Sequence, residues 1–311
     1  MKFTRISASL AVVALGLSLA ACGSDPTKAG DTGSSGTSGS SGGSSKIVVG
    51  SAAFGESEIL AEIYAGALKA KGVDASTKLD IGQREAYIGA IKDNTIQLFP
   101  EYTGNLLTYF DPKATATSTD DVNTALEAAL PSELQVLAPA PGEDKDSLNV
   151  TADFAQKNGV SSIGDLAKVS GLKLAANPEF KTRSYGIPGL EKVYGIKNIS
   201  FTPINDGGGT ATLKALTSGK VDVADIYSTT PSIVENKLVT LADPEHLIAA
   251  QNIVPLIRKD ANTSQVADVL NAVSAKLTTE QLLKLNSAFA ASDKPTAAKV
   301  AADWLQANGL S

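Results

Sequence analysis

Apolar residues along this chain fall into short β-branched runs that alternate with stretches of helical spacing. Ile47-Val48-Val49, closed by Gly50, has the composition and flanks of a buried strand over 46–50. From Glu56 the apolar positions Ile59, Leu60, Ile63, Tyr64, Ala67 and Leu68 recur three and four apart, predicting a helix that Gly72 closes. The alternation continues with a strand over 75–81, a helix over 85–92 and a strand over 96–99. Strand following helix in this way predicts parallel pairing and an α/β architecture. Pro100 has no N–H for a ladder and is expected to stop the third strand. That leaves Glu101-Tyr102-Thr103-Gly104 as a turn at the strand's carboxyl end, where open α/β sheets bind ligands. Taken alone, the same spacing also fits a structural turn with Tyr102 half buried.

Further along, a helix is expected over 120–130 and a strand over 135–138. The segment 139–146 has no periodicity and leads into 148–150, a candidate crossing strand between two lobes. Strands are then expected over 172–176, 199–203, 221–227, 239–241 and 253–257. Short helices should begin near Ser162 and lie over 189–194 and 211–216, with Thr210 as the N-cap of the last. Tyr227 falls at the end of its strand, the same topological place as Tyr102. The remainder, 264–310, is helical by periodicity and carries Trp304, expected to pack against the first lobe. Two α/β units joined by a middle crossing describe a two-lobed clamshell with a cleft for a small molecule.

The chain ends change what the protein is attached to. Lys2 and Arg5 precede an apolar stretch over 6–21, too short for a spanning helix, and Leu19-Ala20-Ala21-Cys22 closes it. Residues 1–22 read as a signal segment whose ending resembles a bacterial lipobox, in which Cys22 is lipidated and becomes the mature N-terminus. Residues 23–45 contain 15 Gly or Ser out of 23 and read as a flexible tether. The expected domain organisation is then 46–147 plus 253–311 as the first lobe and 148–252 as the second. An extracytoplasmic protein anchored to the membrane as a lipoprotein, and monomeric, follows from these features.

Composition excludes several chemistries. Cys22 is the sole cysteine, so no disulfide, thiol nucleophile or thiolate metal site is available to the folded part. The formal charge of −6 becomes −8 once Lys2 and Arg5 are removed, which gives no basic face for nucleic acid. His246 is the single histidine, and no Gly-x-Ser-x-Gly elbow occurs in the folded part, so neither a zinc site nor a serine hydrolase is indicated. Glu101 and Glu179 each sit in a Pro-Glu-aromatic turn with nothing marking a reacting bond. No enzyme, cofactor or metal is expected.

Four motifs then converge on a family. Val49-Gly50-Ser51-x-x-Phe54-x-Glu56, Phe99-Pro100-Glu101-Tyr102-Thr103-Gly104, Pro178-Glu179-Phe180-x-x-Arg183 with Gly186-x-x-Gly189-Leu190, and Asp225-x-Tyr227-Ser228-Thr229 occur in this order. Together they resemble the substrate-binding proteins of ABC importers for quaternary-ammonium osmoprotectants such as glycine betaine, choline and carnitine (the OpuAC/ProX-like group). The resemblance implies a periplasmic-binding-protein-like clamshell of type II, each lobe a sheet flanked by helices. It also implies a permease and its ATPase as partners, and a box of tyrosines around the ligand's trimethylammonium. Such a cation has no hydrogen to donate, so ring faces substitute for water through cation–π attraction. Tyr102 and Tyr227 match two walls, and Asp144 lies near an Asp/Asn position before the third. The third tyrosine position aligns with Asp146 and the fourth with Gln251, so two of four rings are expected to be missing. Ala52 stands where a lysine is frequent, Asn105 where a threonine is usual, and Ser57 where a glutamine can occur. Phe54 joins the candidate ligand contacts, and Arg183 is kept as a partner for a ligand carboxylate. Alternatives are the same fold holding a different small polar or aromatic solute, or a surface lipoprotein with no transport role.

Overall fold

The structure, a computed structural model, describes residues 46–311. The signal segment, the lipobox with Cys22 and the whole tether lie outside these residues. The first part of the chain forms β1 (Ile47–Gly50), α1 (Gly55–Ala70), β2 (Ala75–Lys78), α2 (Arg84–Lys92), β3 (Leu98–Tyr102), α3 (Thr103–Phe110), α4 (Thr119–Ala129) and β4 (Leu134–Val136). A crossing leads to β5 (Leu148–Thr151), α5 (Ala152–Asn158), β6 (Lys173–Ala176), α6 (Ile187–Tyr194), β7 (Ser200–Pro203), α7 (Thr210–Thr217), β8 (Val223–Asp225), α8 (Ser232–Glu235) and β9 (Leu238–Thr240). The chain returns through β10 (Ile253–Arg258) and finishes with α9 (Ser264–Ser274), α10 (Thr279–Phe289) and α11 (Ala297–Ala307).

Two five-stranded sheets result, ordered β2-β1-β3-β10-β4 and β7-β6-β8-β5-β9. The β1–β2 and β1–β3 pairs are parallel, as are β6–β7 and β6–β8. In each sheet one strand that follows a crossing runs antiparallel between two others: β10 between β3 and β4, and β5 between β8 and β9. The first sheet is covered on both faces, as parallel strands require. Ile47, Val49, Leu98, Ile253 and Ile257 pack toward α1 and α9–α11 in a cluster that includes Trp304. Phe99 and Leu256 pack on the opposite face with Ile88, Leu106 and Val122. Trp304 completes its hydrogen bonding by donating Nε1–H to Gln281 Oε1 at 2.9 Å.

Three local expectations need correction. The third strand does not stop at Pro100 but runs through it to Tyr102. Pro100 faces Pro255 across the antiparallel β3–β10 ladder. The hydrogen bonds Arg258 N–H to Gln97 O and Thr103 N–H to Asn252 O, three pairs to either side, place the two prolines at a position where strands exchange no bond. Their missing N–H groups therefore leave no gap between these strands. The turn expected after Tyr102 is instead α3, which enters immediately. Gly104 permits this, because a Cβ there would lie 2.6 Å from the Ala250 carbonyl oxygen. The short α5 was not anticipated either; none of its residues is buried, so it carries no apolar stripe.

The third correction concerns 206–210. Thr210 is the first residue of α7, and the cap is Asp206. Its carboxylate accepts hydrogen bonds from the N–H groups of Gly209, Ala211 and Thr212 and from Thr212 Oγ1–H at 2.6–3.1 Å. Gly207 and Gly208, with φ of 62° and 74°, turn the chain so that the acid reaches its own helix N-terminus. The protein's own carboxylate thus occupies the place an external anion would take. Asp206→Ala should cost about 1–2 kcal/mol in urea unfolding, and Asp206→Asn distinctly less, because an amide oxygen still caps.

Candidate functional site

Continuation of β3 sets the site, since it delivers Tyr102 as the strand's last residue, 7% exposed, directly before α3. Tyr102 Oη–H donates to Glu56 Oε1 at 2.8 Å. Tyr227 lies two residues past β8, and its oxygen accepts from Asn177 Nδ2–H at 2.9 Å. Phe54, just ahead of α1, stands between the two phenols. Its ring centre is 5.1 Å from that of Tyr227 at a 71° interplanar angle, and 6.1 Å from that of Tyr102 at 35°. A small cavity opens against these rings. It is lined from the first sheet's side by Ala52, Phe54, Ser57, Arg84, Tyr87, Phe99, Tyr102 and Asn105, from the crossing by Asp144 and Asp146, and from the second sheet's side by Arg183 and Tyr227.

Eight of the nine side chains singled out as ligand contacts therefore surround one cavity; Gln251 stands one layer back. It is 1% exposed and locks Asn105 by accepting from its backbone N–H at 3.0 Å and donating to Oδ1 at 2.7 Å. Asn105 in turn donates Nδ2–H to Asp146 Oδ2 at 2.7 Å. Ser57 accepts from Ala52 N–H at 2.9 Å and so fixes the loop ahead of α1. Arg183 is already engaged, with Nε–H and Nη2–H on the Glu85 carboxylate at 3.2 and 3.1 Å and Nη1–H on Tyr185 Oη at 3.0 Å. Phe54, Tyr87 and Phe99 also face the cavity. Tyr87 stacks on Phe99 with ring centres 3.7 Å apart.

Sequence reasoning missed the ion pair beneath these rings. Glu101 is 0% exposed and accepts from both arms of Arg84, at 2.9 and 2.8 Å, from Tyr87 Oη–H at 2.7 Å and from Tyr102 N–H at 2.9 Å. The available signal was an acid inside an otherwise apolar strand, Leu-Phe-Pro-Glu-Tyr, which demands a buried cation. Arg84 answers from the first turn of α2.

Other acids are buried nearby with less compensation. Glu56 accepts from Tyr102, from Thr229 Oγ1–H at 2.7 Å and from Asn286 Nδ2–H at 2.6 Å. Burial nonetheless raises its carboxyl above the usual range, those hydrogen bonds offsetting only part. Asp144 accepts from Thr229 N–H at 3.0 Å and Ser228 Oγ–H at 3.1 Å. Burial, and then the neighbouring Glu56 charge, push it well up. Asp225 is raised by burial and next by Asp146. The cavity thus pairs aromatic faces with an excess of acid, which suits an organic cation.

A two-sheet clamshell with a polar and aromatic cavity between its sheets defines a solute-binding protein of type II. Residues 45–307 match the family described as the substrate binding domain of ABC-type glycine betaine transport system. The chain belongs to that family. It is 32% identical over 281 residues to the glycine betaine-binding protein YehZ of Escherichia coli (strain K12), covering 86% of this chain and 92% of the relative. The solved structure of apo YehZ from Escherichia coli superposes with a TM-score of 0.60 at 29% identity, covering 86% of this chain and 100% of that one. A crystal structure of a glycine betaine/carnitine/choline ABC transporter protein shares the fold, with a TM-score of 0.67 at 19% identity over 85% of this chain and 99% of that one. The family consists of extracytoplasmic transport components that bind a substrate. Among the described residues no helix is long and apolar enough to cross a membrane.

Two outcomes follow from the buried charges. Arg84→Met leaves the buried Glu101 carboxyl without its partner and should cost about 3–5 kcal/mol in urea unfolding, most of it recovered by adding Glu101→Gln. The raised carboxyls of Glu56, Asp144 and Asp225 hold protons in the folded state that the unfolded chain releases. Their stabilisation is complete below the ordinary carboxylate range and lost as pH rises through the raised folded values. Stability in urea should therefore fall from pH 5 to pH 8, and Asp225→Asn should flatten the profile. Asp165 and Asp260, held low by their partners, act below this window.

Proposed function

We propose that this protein is the lipid-anchored receptor of an ABC importer, holding a quaternary ammonium osmoprotectant of the glycine betaine or choline type between its lobes. Residues 46–147 plus 253–311 form one lobe in this reading and 148–252 the other. Cys22 carries the lipid, 23–45 tethers the monomer, and a permease with its ATPase receives the closed form. Phe54, Tyr102, Tyr227, Asp144, Asp146, Asn105, Arg183 and Ser57 line the ligand site, and Gln251 positions Asn105.

The observation that carries this reading is the meeting of three ring systems with two carboxylates in one buried cavity. Ring faces attract a cation that water can solvate only loosely, and the carboxylates add charge complementarity. Bonds that span the cleft support ligand enclosure by closure: Thr229 of one lobe donates to Glu56 and accepts from Asn286 of the other. The YehZ relative, a glycine betaine-binding protein in its own right, supports the same ligand class.

Calorimetric titration with glycine betaine, choline and carnitine tests the proposal. At least one should bind at millimolar concentration or below, and no heat with any of them would refute the ligand class. Removing a ring should cost about 0.5–2 kcal/mol, so Tyr227→Ala should weaken binding roughly 2- to 30-fold. An unchanged affinity would take Tyr227 out of the wall.

A further inference from the structure

Charge in the cavity is distributed unevenly, and this distribution discriminates between ligands of the proposed class. A zwitterionic betaine brings a carboxylate that needs a cationic or strongly donating partner. The described residues place two cationic side chains at the cavity, and each is held by a glutamate. Arg84 spends its fork on Glu101, with neither partner exposed. Arg183 is held on the opposite wall by Glu85 through two N–H groups and by Tyr185 through a third. Ala52 lines the cavity with a methyl group and offers no amine. Against these, Asp146 lines the same space with a carboxyl oxygen that accepts from Asn105 and offers a ligand carboxylate no donor. A neutral donor is placed for a ligand oxygen: Gln83 faces the cavity, and its buried Nε2–H group has no hydrogen-bond partner. An amide left unpaired in this way suits a hydroxyl or ether oxygen.

We infer that the cavity selects a quaternary ammonium with a neutral hydroxyl tail over a zwitterionic betaine, and that Glu85 sets this preference by keeping Arg183 from the ligand. This rests on the quaternary-ammonium reading of the cavity. Glu85 is well placed to be the determinant, because its side chain is 47% exposed and makes its ion pair at the cleft rim. Its loss should not endanger folding, since exposed pairs of this kind contribute little stability.

The full-length protein and its Glu85→Gln variant should be titrated calorimetrically with choline chloride and with glycine betaine at neutral pH. The natural protein is expected to bind choline at least tenfold more tightly. Glu85→Gln frees the Arg183 fork and should raise the ratio of betaine to choline affinity threefold or more. Betaine binding as tightly as choline in the natural protein would overturn the inference and leave the ligand class standing. Selectivity unchanged by Glu85→Gln would overturn it as well, by removing Glu85 as its cause. Failure of both ligands to bind would sink the class and the inference together.

Discussion

Glu101 carries a charge with no exposed surface, in the middle of a strand whose other side chains are apolar or aromatic, and the site is arranged around its neutralisation. An isolated carboxylate there would cost several kcal/mol in desolvation. Arg84 meets it with a parallel two-point contact from the first turn of α2, Tyr87 adds a hydrogen bond from the next turn, and Tyr102 contributes its backbone N–H. A pair of this kind stabilises little in net terms, because the same desolvation falls on both partners. Its consequence is positional. It ties α2 to β3, which lays Tyr87 on Phe99, and it fixes the backbone at the residue whose ring enters the cavity.

A second constraint comes from the crossing between sheets. Asp144 and Asp146 are two residues apart in an extended segment, so both side chains fall on one side of it. That side is the cavity. Asp144 is held by the Ser228–Thr229 segment beyond β8, and Asp146 by Asn105 on α3. The segment joining the lobes therefore also carries the charges that a ligand would meet. Any movement of one lobe against the other must alter how these acids are solvated.

Much of the architecture was readable because strands buried on both faces leave apolar β-branched runs, and Ile47-Val48-Val49 is the clearest. What was not readable depended on partners distant in sequence. Pro100 reads as a stop unless Pro255 is known to lie opposite it. Gly104 reads as a turn residue until the Ala250 carbonyl against it is seen, whereupon it becomes the close contact that lets α3 begin. Asp206 rather than Thr210 caps α7, because two glycines in the left-handed region bend the acid back. At the site, Tyr102 and Tyr227 were legible from their places at strand ends. Tyr87 was not, since a tyrosine at helical spacing looks like core, and in part it is core.

The expectation of a cage short of two rings thus changes in kind. A ring attracts a cation by about 0.5–2 kcal/mol and, being neutral, costs nothing in charge desolvation when the cleft is closed without ligand. A carboxylate attracts more strongly, about 4 kcal/mol at 4 Å for an effective dielectric of 20, but must first give up its own water. The raised carboxyls of Asp144 and Asp225 register that penalty. Part of the attraction is therefore spent ionising acids that burial would keep protonated. Phe54 and Tyr87 supply ring surface at positions other than those of the tyrosine box, while Asp146 brings charge to one position where a ring would stand. In the quaternary-ammonium reading proposed above, affinity comes from aromatic faces and preference for net positive charge from acids, and the second property is the one a box made of rings alone lacks.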